Sequence, residues 1–466
     1  MEDKIKILFH NRDAAGVNYF RTQTPAMELE RYHSDKFRVE INPELDFNNP
    51  ETIEYLKTFH IIHYHRQLVQ GVPNMLRLSN ELKSAGITLI MDVDDYWQLD
   101  KSHPYYSVSK DNKLHEEIID NLKIADYVTT TTDYFAKQIR KITGKDNVLV
   151  FYNSIDPDWM KQFKNEWEPD PNGLVRITYM AGSSHKGDIQ QMDGAINRLN
   201  ADSQTHGKFK VIVAGWDTQG STTDVSFNKE FGEVLRKRNF WNKDIVKMIN
   251  KSRGDVDILP IPKEIKDAFR GKVFSTSQRD IESQESIYLE YEKILTDNYS
   301  IINNNDYIKW LENYERDVYP NEDHYGRRWT EKANTYALVL NETDIAIAPL
   351  ADHAFNNMKS SLKQVECWSR KLPVVCTDVI PYNVDGRHME NCILIPTSNT
   401  KGEKRMKHLD KEWYKYLKRL ILEPDLRKKI GEGLYEDFKE KYNLKNVTQK
   451  RADFYEKVVY QSLLIK

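Results

Sequence analysis

The stretch HAFNNMKSSLKQVECWSRKLPVVCTD, from His353 to Asp378, places Lys359, Ser360, Ser361, Lys363 and Glu366 between two apolar runs, DIAIAPL and LPVVC. A helix begun near Lys359 would carry Lys359, Lys363 and Glu366 on one face, at i, i+4 and i+7. Ser360 and Ser361 would then fall in its first turn. Unpaired backbone N–H groups and the helix dipole favour an anion at such a start. Two ammonium groups and two hydroxyls add to that site, which suits a diphosphate. Glu366, one to two turns along, could accept hydrogen bonds from ribose hydroxyls. The same residues also fit a solvated helix face with serine caps and an i,i+3 Lys–Glu pair. The other constellations must decide.

Three of them follow apolar, strand-like runs. In YMAGSSHKGD (179–188), Gly182 permits close backbone approach, and Ser183, Ser184 and His185 can donate to phosphate. In RDAAGVNYFR (12–21), Gly16 lets a loop approach a bound donor. In MDVDDYW (91–97), Asp94 and Asp95 are placed to face a ligand and bind hydroxyls. Asp92-x-Asp94 also has metal–diphosphate spacing. No metal and no cofactor is expected, because the lysines can neutralise a diphosphate. His63 and His65 share a strand face, but no third ligand is evident nearby.

These residues need elements to hold them. Lys4–His10, His60–His65, Ile87–Met91, Tyr127–Thr130 and Val148–Tyr152 read as short buried strands, with helical patterns between them. A turn-rich segment, WEPDPNG (167–173), reads as a linker. The rhythm restarts with Val175–Met180 and Phe209–Ala214, and resumes with Asp344–Pro349, Leu372–Cys376 and Asn391–Pro396. The expected class is α/β: two Rossmann-like, doubly wound domains facing a cleft, with a helical insertion in the second. The boundaries are 1–170 for the first domain and 171–445 for the second, with the insertion at about 218–328. A C-terminal helix over 446–466 could pack back on the first domain. Within the insertion, Phe227–Arg279 is rich in Lys, Arg and aromatics, which fits either a solvated decoration or a partner surface, nucleic acid included.

Composition removes several classes. With 466 residues, 39% hydrophobic and 30% charged, the chain is an ordinary multidomain globular protein. A net charge of −3 excludes a polycation built for nucleic acid, so any basic surface is local. Cys367, Cys376 and Cys392 lack zinc or redox spacing and point to a reducing, cytoplasmic setting. MEDKIKILFHN reads as neither signal peptide nor anchor, and no apolar stretch approaches membrane-spanning length.

The order of the motifs carries a resemblance. Gly16 with VNYFR, then ADYVTTTTDYFAKQIRK and NVLVFYNSID, then ITYMAGSSHKGDI, and finally DIAIAPL…FNNMKSSLKQVE…LPVVCTD follow one another from Ile5 to about Tyr442. The chain resembles retaining glycosyltransferases of the GT-B fold, the family 4 or "glycosyltransferase group 1" type. That group includes glycogen and sucrose synthases and bacterial lipopolysaccharide transferases. The resemblance implies transfer of a sugar from a nucleoside-diphosphate sugar to an acceptor hydroxyl, retaining and metal-independent. Glu366 matches the second glutamate of the family's Glu-x7-Glu motif, which holds the ribose. The first glutamate would fall at Met358 and is absent, with Lys359 beside it. Asp94 stands where many relatives carry a histidine near the reacting sugar. The resemblance implies donor contacts by Ser183, Ser184, His185, Lys359, Ser360, Ser361 and Lys363. The acceptor stays open among glycan, lipid-linked sugar, protein and modified DNA. A nucleotide-sugar 2-epimerase and a non-catalytic nucleotide-sugar-binding protein are the alternatives on the same fold.

Overall fold

A computed structural model describes residues 4–12, 16–47, 49–101, 106–111, 113–158, 167–216, 219–251, 256–270, 272–282, 287–296, 325–397 and 406–464. The first sheet contains β1 (Ile5–His10), β2 (Phe37–Ile41), β3 (Ile61–His65), β4 (Thr88–Asp92), β5 (Tyr127–Thr130) and β6 (Val148–Val150). All its pairings are parallel, in the order β2-β1-β3-β4-β5-β6. β4 is buried along its whole length, as expected of a strand covered by helices on both faces. Helix boundaries follow local chemistry. The helix Asp133–Thr143 starts where Thr132 Oγ1 accepts from Phe135 N and stops at Gly144, whose φ of 68° suits glycine. Its Phe135, Ala136 and Ile139 are buried in the core beneath the sheet.

The second sheet starts with β7 (Val175–Met180) and β8 (Phe209–Trp216). The chain then leaves it for an antiparallel pair, β9 (Gln219–Phe227) and β10 (Phe274–Glu282). It returns through β11 (Tyr325–Trp329), β12 (Ile345–Ala348), β13 (Val374–Thr377) and β14 (Ile393–Ile395). The order is β11-β8-β7-β12-β13-β14, again all parallel. Both sheets therefore reverse direction beside their first strand, at β1/β3 and at β7/β12. Ligand crevices in open α/β sheets form outside the carboxyl ends of strands at such switch points.

Met1–Trp216 and Ile287–Lys466 form one compact unit holding both sheets, and Asp217–Ser286 form another. The smaller unit is shorter than the 218–328 stretch expected from sequence. The helix Ile287–Leu295 and β11 belong with the second sheet, tied together by the buried Arg327–Glu292 pair at 2.7 Å. Besides the β9–β10 ribbon, the smaller unit has the helices Lys229–Lys237, Lys243–Lys251 and Lys263–Phe269 around its own core of Phe231, Leu235, Ile245, Leu259 and Phe269. The C-terminal helix, Leu444–Leu464, packs Val447, Tyr455 and Val458 against Ile7, Phe9 and Ile61 of the first sheet.

Candidate functional site

A cleft of about 920 Å³ opens at the two switch points. From the first sheet it is lined by Gly16, Arg21, Asp94, Asp95 and Asn153. From the second it is lined by Ser184, His185, Lys359, Ser360, Lys363 and Glu366. Ser361 does not line it; its hydroxyl is bonded to Tyr442. Ser183 lies in the turn Ser183–His185, and its side chain is outside the described residues.

The helix over the lysines differs from the sequence expectation. A short helix, Ala354–Asn357, is followed by a break, and the next helix runs Leu362–Trp368. Lys359 and Ser360 therefore precede the helix, and Ser361 caps it with φ −76° and ψ 37°. Seven residues are too few for a helix stable by itself. Val365, Cys367 and Trp368, each at most 1% exposed, anchor it in the second core, and full burial of a large apolar side chain contributes about 1.5–3 kcal/mol. The lysines are held at the wall by that anchorage.

Lys363 Nζ lies 2.9 Å from Glu366 Oε2, and Tyr336 donates its hydroxyl to Glu366 Oε1. The Glu366 carboxylate is thus shielded by two side chains that also line the cleft. Burial, and then the Glu366 charge, push the Tyr336 phenol well up, so it stays a donor. The Lys359 ammonium sits 5.1 Å from the Phe355 ring centroid. His185 Nδ1 meets Asp188 Oδ2 at 2.7 Å, and Asp188 Oδ1 accepts from Ala351 N and Asn356 Nδ2 at 2.7 and 2.8 Å. Burial and the Lys359 charge push His185 below the usual imidazole range.

Across the cleft, Asp94 Oδ1 is bonded by His65 Nε2 and by Asp95 N, both at 2.9 Å. Burial opposes its ionisation. The His65 bond and the charges of Arg66 and Arg21 outweigh that and hold the carboxyl well below its ordinary range. Asp95 moves the other way, raised by burial and by the Asp94 charge, with Lys359 pulling against them. Two adjacent carboxyls thus differ in acidity, one an acceptor and the other better able to keep a proton. Asp92 does not join them. Arg21 takes both its oxygens, at 3.0 and 2.6 Å, and Thr129 donates to Oδ1 at 2.6 Å. His63 and His65 also part company. His63 bonds Tyr455 and Thr129, while His65 turns to Asp94.

No family model matches the sequence, and no curated protein matches it. Solved structures do match. Anabaena HepE in complex with UDP and glucose is 10% identical with a TM-score of 0.51, covering 97% of this chain and 99% of that one. The same protein in complex with UDP-glucose is 12% identical, also at 0.51, covering 97% and 100%. A glycosyltransferase from Rickettsia africae is 12% identical with a TM-score of 0.49, covering 98% and 99%. The fold is GT-B.

Within this GT-B fold, the cleft residues that sequence reasoning missed include Arg21, Asn153 and Tyr336. Arg21 stood inside the quoted VNYFR motif, and its one signal was a cation beside apolar helix residues. Asn153 stood inside the quoted NVLVFYNSID with nothing in its neighbours to single it out, and Tyr336 carried no signal. Met358, where a glutamate was expected from the resemblance, is 5% exposed and packs in the core of the first sheet with Met91 and Trp97.

Proposed function

We propose that this chain transfers a sugar from a nucleoside-diphosphate sugar to an acceptor hydroxyl, with retention and without a divalent metal. The observation that carries the reading is one cleft, at both switch points, with Lys359, Ser360, Lys363 and Glu366 on one wall and Asp94–Asp95 on the other. In such a transfer the sugar passes through an oxocarbenium-like state while negative charge builds on the departing diphosphate. Lys359 and Lys363 neutralise that charge, and Ser184 and Ser360 donate to its oxygens. Glu366 receives the ribose hydroxyls once Lys363 moves from it toward phosphate. Asp94 accepts from a sugar or acceptor hydroxyl, and Asp95 holds a proton beside it. Gly16 leaves room for the donor. Closure of the two sheets over the cleft would keep water from the activated sugar. HepE, solved with UDP and with UDP-glucose, makes uridine diphosphates the first donors to try.

The test is nucleoside-diphosphate release from UDP-, GDP-, ADP- and dTDP-sugars, with and without EDTA. Release from one donor that persists in EDTA is the expected result. Failure to bind or cleave any donor would overturn the transferase reading. Loss of release in EDTA would overturn metal independence, and recovery of an epimerised donor would make the chain an isomerase.

A further inference from the structure

Arg21 lines the cleft, yet the residue is only 2% exposed and its guanidinium is engaged on every side. Nε and Nη2 grip Asp92, while Nη1 donates to the Phe151 carbonyl at 2.6 Å and to Asn153 Oδ1 at 3.2 Å. Arg21 lies in a π-helical stretch, Tyr19–Gln23, a wider turn that re-aims side chains and is frequent at functional sites. Thr129 pins Asp92 in turn, so the guanidinium has one orientation.

That orientation fixes Asn153. With Oδ1 held by a guanidinium, which can only donate, the amide nitrogen must point the other way. It donates to Ser360 Oγ at 2.9 Å. This bond runs from the end of the first sheet's last strand to the Lys359–Ser360 loop of the second sheet. Because Ser360 Oγ accepts it, the serine's own proton is left to be given to an anion in the cleft. We propose that Asn153, oriented by Arg21, is a positioning residue that clasps the Lys359–Ser360 loop and aims the Ser360 hydroxyl at the donor diphosphate. Neither residue need touch the reacting sugar. An amide is suited to the post because it accepts from Arg21 and donates to Ser360 at once. The inference rests on the transferase reading and adds to it the device that registers the two walls of the cleft.

The test is a double-mutant cycle on the full chain with Asn153→Ala, Ser360→Ala and both, read as kcat and KM for whichever donor the wild type cleaves. Urea unfolding of each variant runs alongside. Asn153→Ala is expected to lower kcat about tenfold with donor KM changed by less than about twofold, the split of an interaction made in the transition state. In the Ser360→Ala background the same change should cost less than about threefold, because the two residues act as one unit. Arg21→Lys keeps a cation on Asp92 but cannot span Phe151 and Asn153, and should reproduce the Asn153→Ala split. If it fails to fold, the Asn153–Ser360 cycle still decides. Additive effects, or lower unfolding stability with unchanged kcat, would overturn the clasp alone. A wild type that neither binds nor cleaves any nucleoside-diphosphate donor would overturn the transferase reading and the clasp with it.

Discussion

The Lys363–Glu366 pair sets the behaviour of the donor wall at the scale of single residues. The ammonium is 2.9 Å from a carboxylate that Tyr336 also donates to. Lys363→Ala removes one charge-assisted contact to the diphosphate, so nucleoside-diphosphate affinity by calorimetry should fall about 10- to 100-fold. Unchanged affinity would return Lys363 to the role of a surface cation paired along its helix. Glu366→Ala should weaken binding as well, and more for the nucleoside diphosphate than for inorganic pyrophosphate, because pyrophosphate has no ribose to lose. Equal losses would place Glu366 with the phosphates rather than the ribose. That Lys359, Lys363 and Glu366 share one cleft wall was legible in sequence from their close spacing between two strand-like runs. Arg21, Asn153 and Tyr336 were not, because their meaning lies in distant partners. Arg21 meets Asp92 across 71 positions, and Asn153 meets Ser360 across 207. No local period reports such pairs.

Elements were legible where apolar runs were long, and illegible where charge sat on a strand. β2 (FRVEI) is an edge strand with exposed polar residues, and β11 (YGRRW) carries two arginines. Both escaped the apolar-run criterion. In the fold Arg327 is neutralised by Glu292 and Arg328 by Glu342. The C-terminal helix packs back on the first sheet as its sequence suggested, and its contact with β3 has a titration signature. Burial lowers His63 to about 3. Its ring lies between Tyr455 and Thr129. The folded chain therefore keeps His63 neutral between pH 6.5 and about 3, while the unfolded chain takes up a proton. His63 thus contributes stability present above pH 6.5 and lost on acidification. Between pH 6 and 4.5, His63→Gln should flatten the urea-unfolding free energy by about 1.4 kcal/mol per pH unit relative to wild type. An unchanged slope would mean that the imidazole ionises in place. A second element-scale prediction concerns the helix Pro424–Phe438, which docks backbone to backbone. A Cβ on Gly431 would fall 1.7 Å from the Lys371 carbonyl oxygen. Gly431→Ala should cost about 3 kcal/mol or more of unfolding free energy, because backbone cannot yield as a flexible side chain would. A loss under about 1 kcal/mol would show that the helix slides.

For the whole molecule, the βα rhythm was enough to read two doubly wound sheets, and the cleft followed from their switch points. The limits of the inserted unit were not readable, because a unit with its own core mixes apolar and charged residues just as its host does. Its independence is testable. Gln219 and Glu282 are cross-strand partners at the open end of the β9–β10 ribbon. The two ends of the ribbon thus lie about 5 Å apart. Apolar side chains such as Phe231, Ile245 and Phe269 close a core within the insertion itself. A chain in which residues 219–282 are replaced by a short Gly-Ser link should fold and bind nucleoside diphosphate as the full chain does. Donor cleavage to water should persist in it, because every residue assigned to the diphosphate and ribose lies outside the excised segment. Transfer to the native acceptor is the quantity expected to fall, with the exposed Arg236, Lys237, Arg238, Lys243 and Lys247 removed. Their replacement by glutamine in the full chain should reproduce the loss if charge is what docks the acceptor. Excision that abolishes nucleotide binding would instead make the insertion part of the donor site, and excision that leaves transfer intact would make it a solvated decoration.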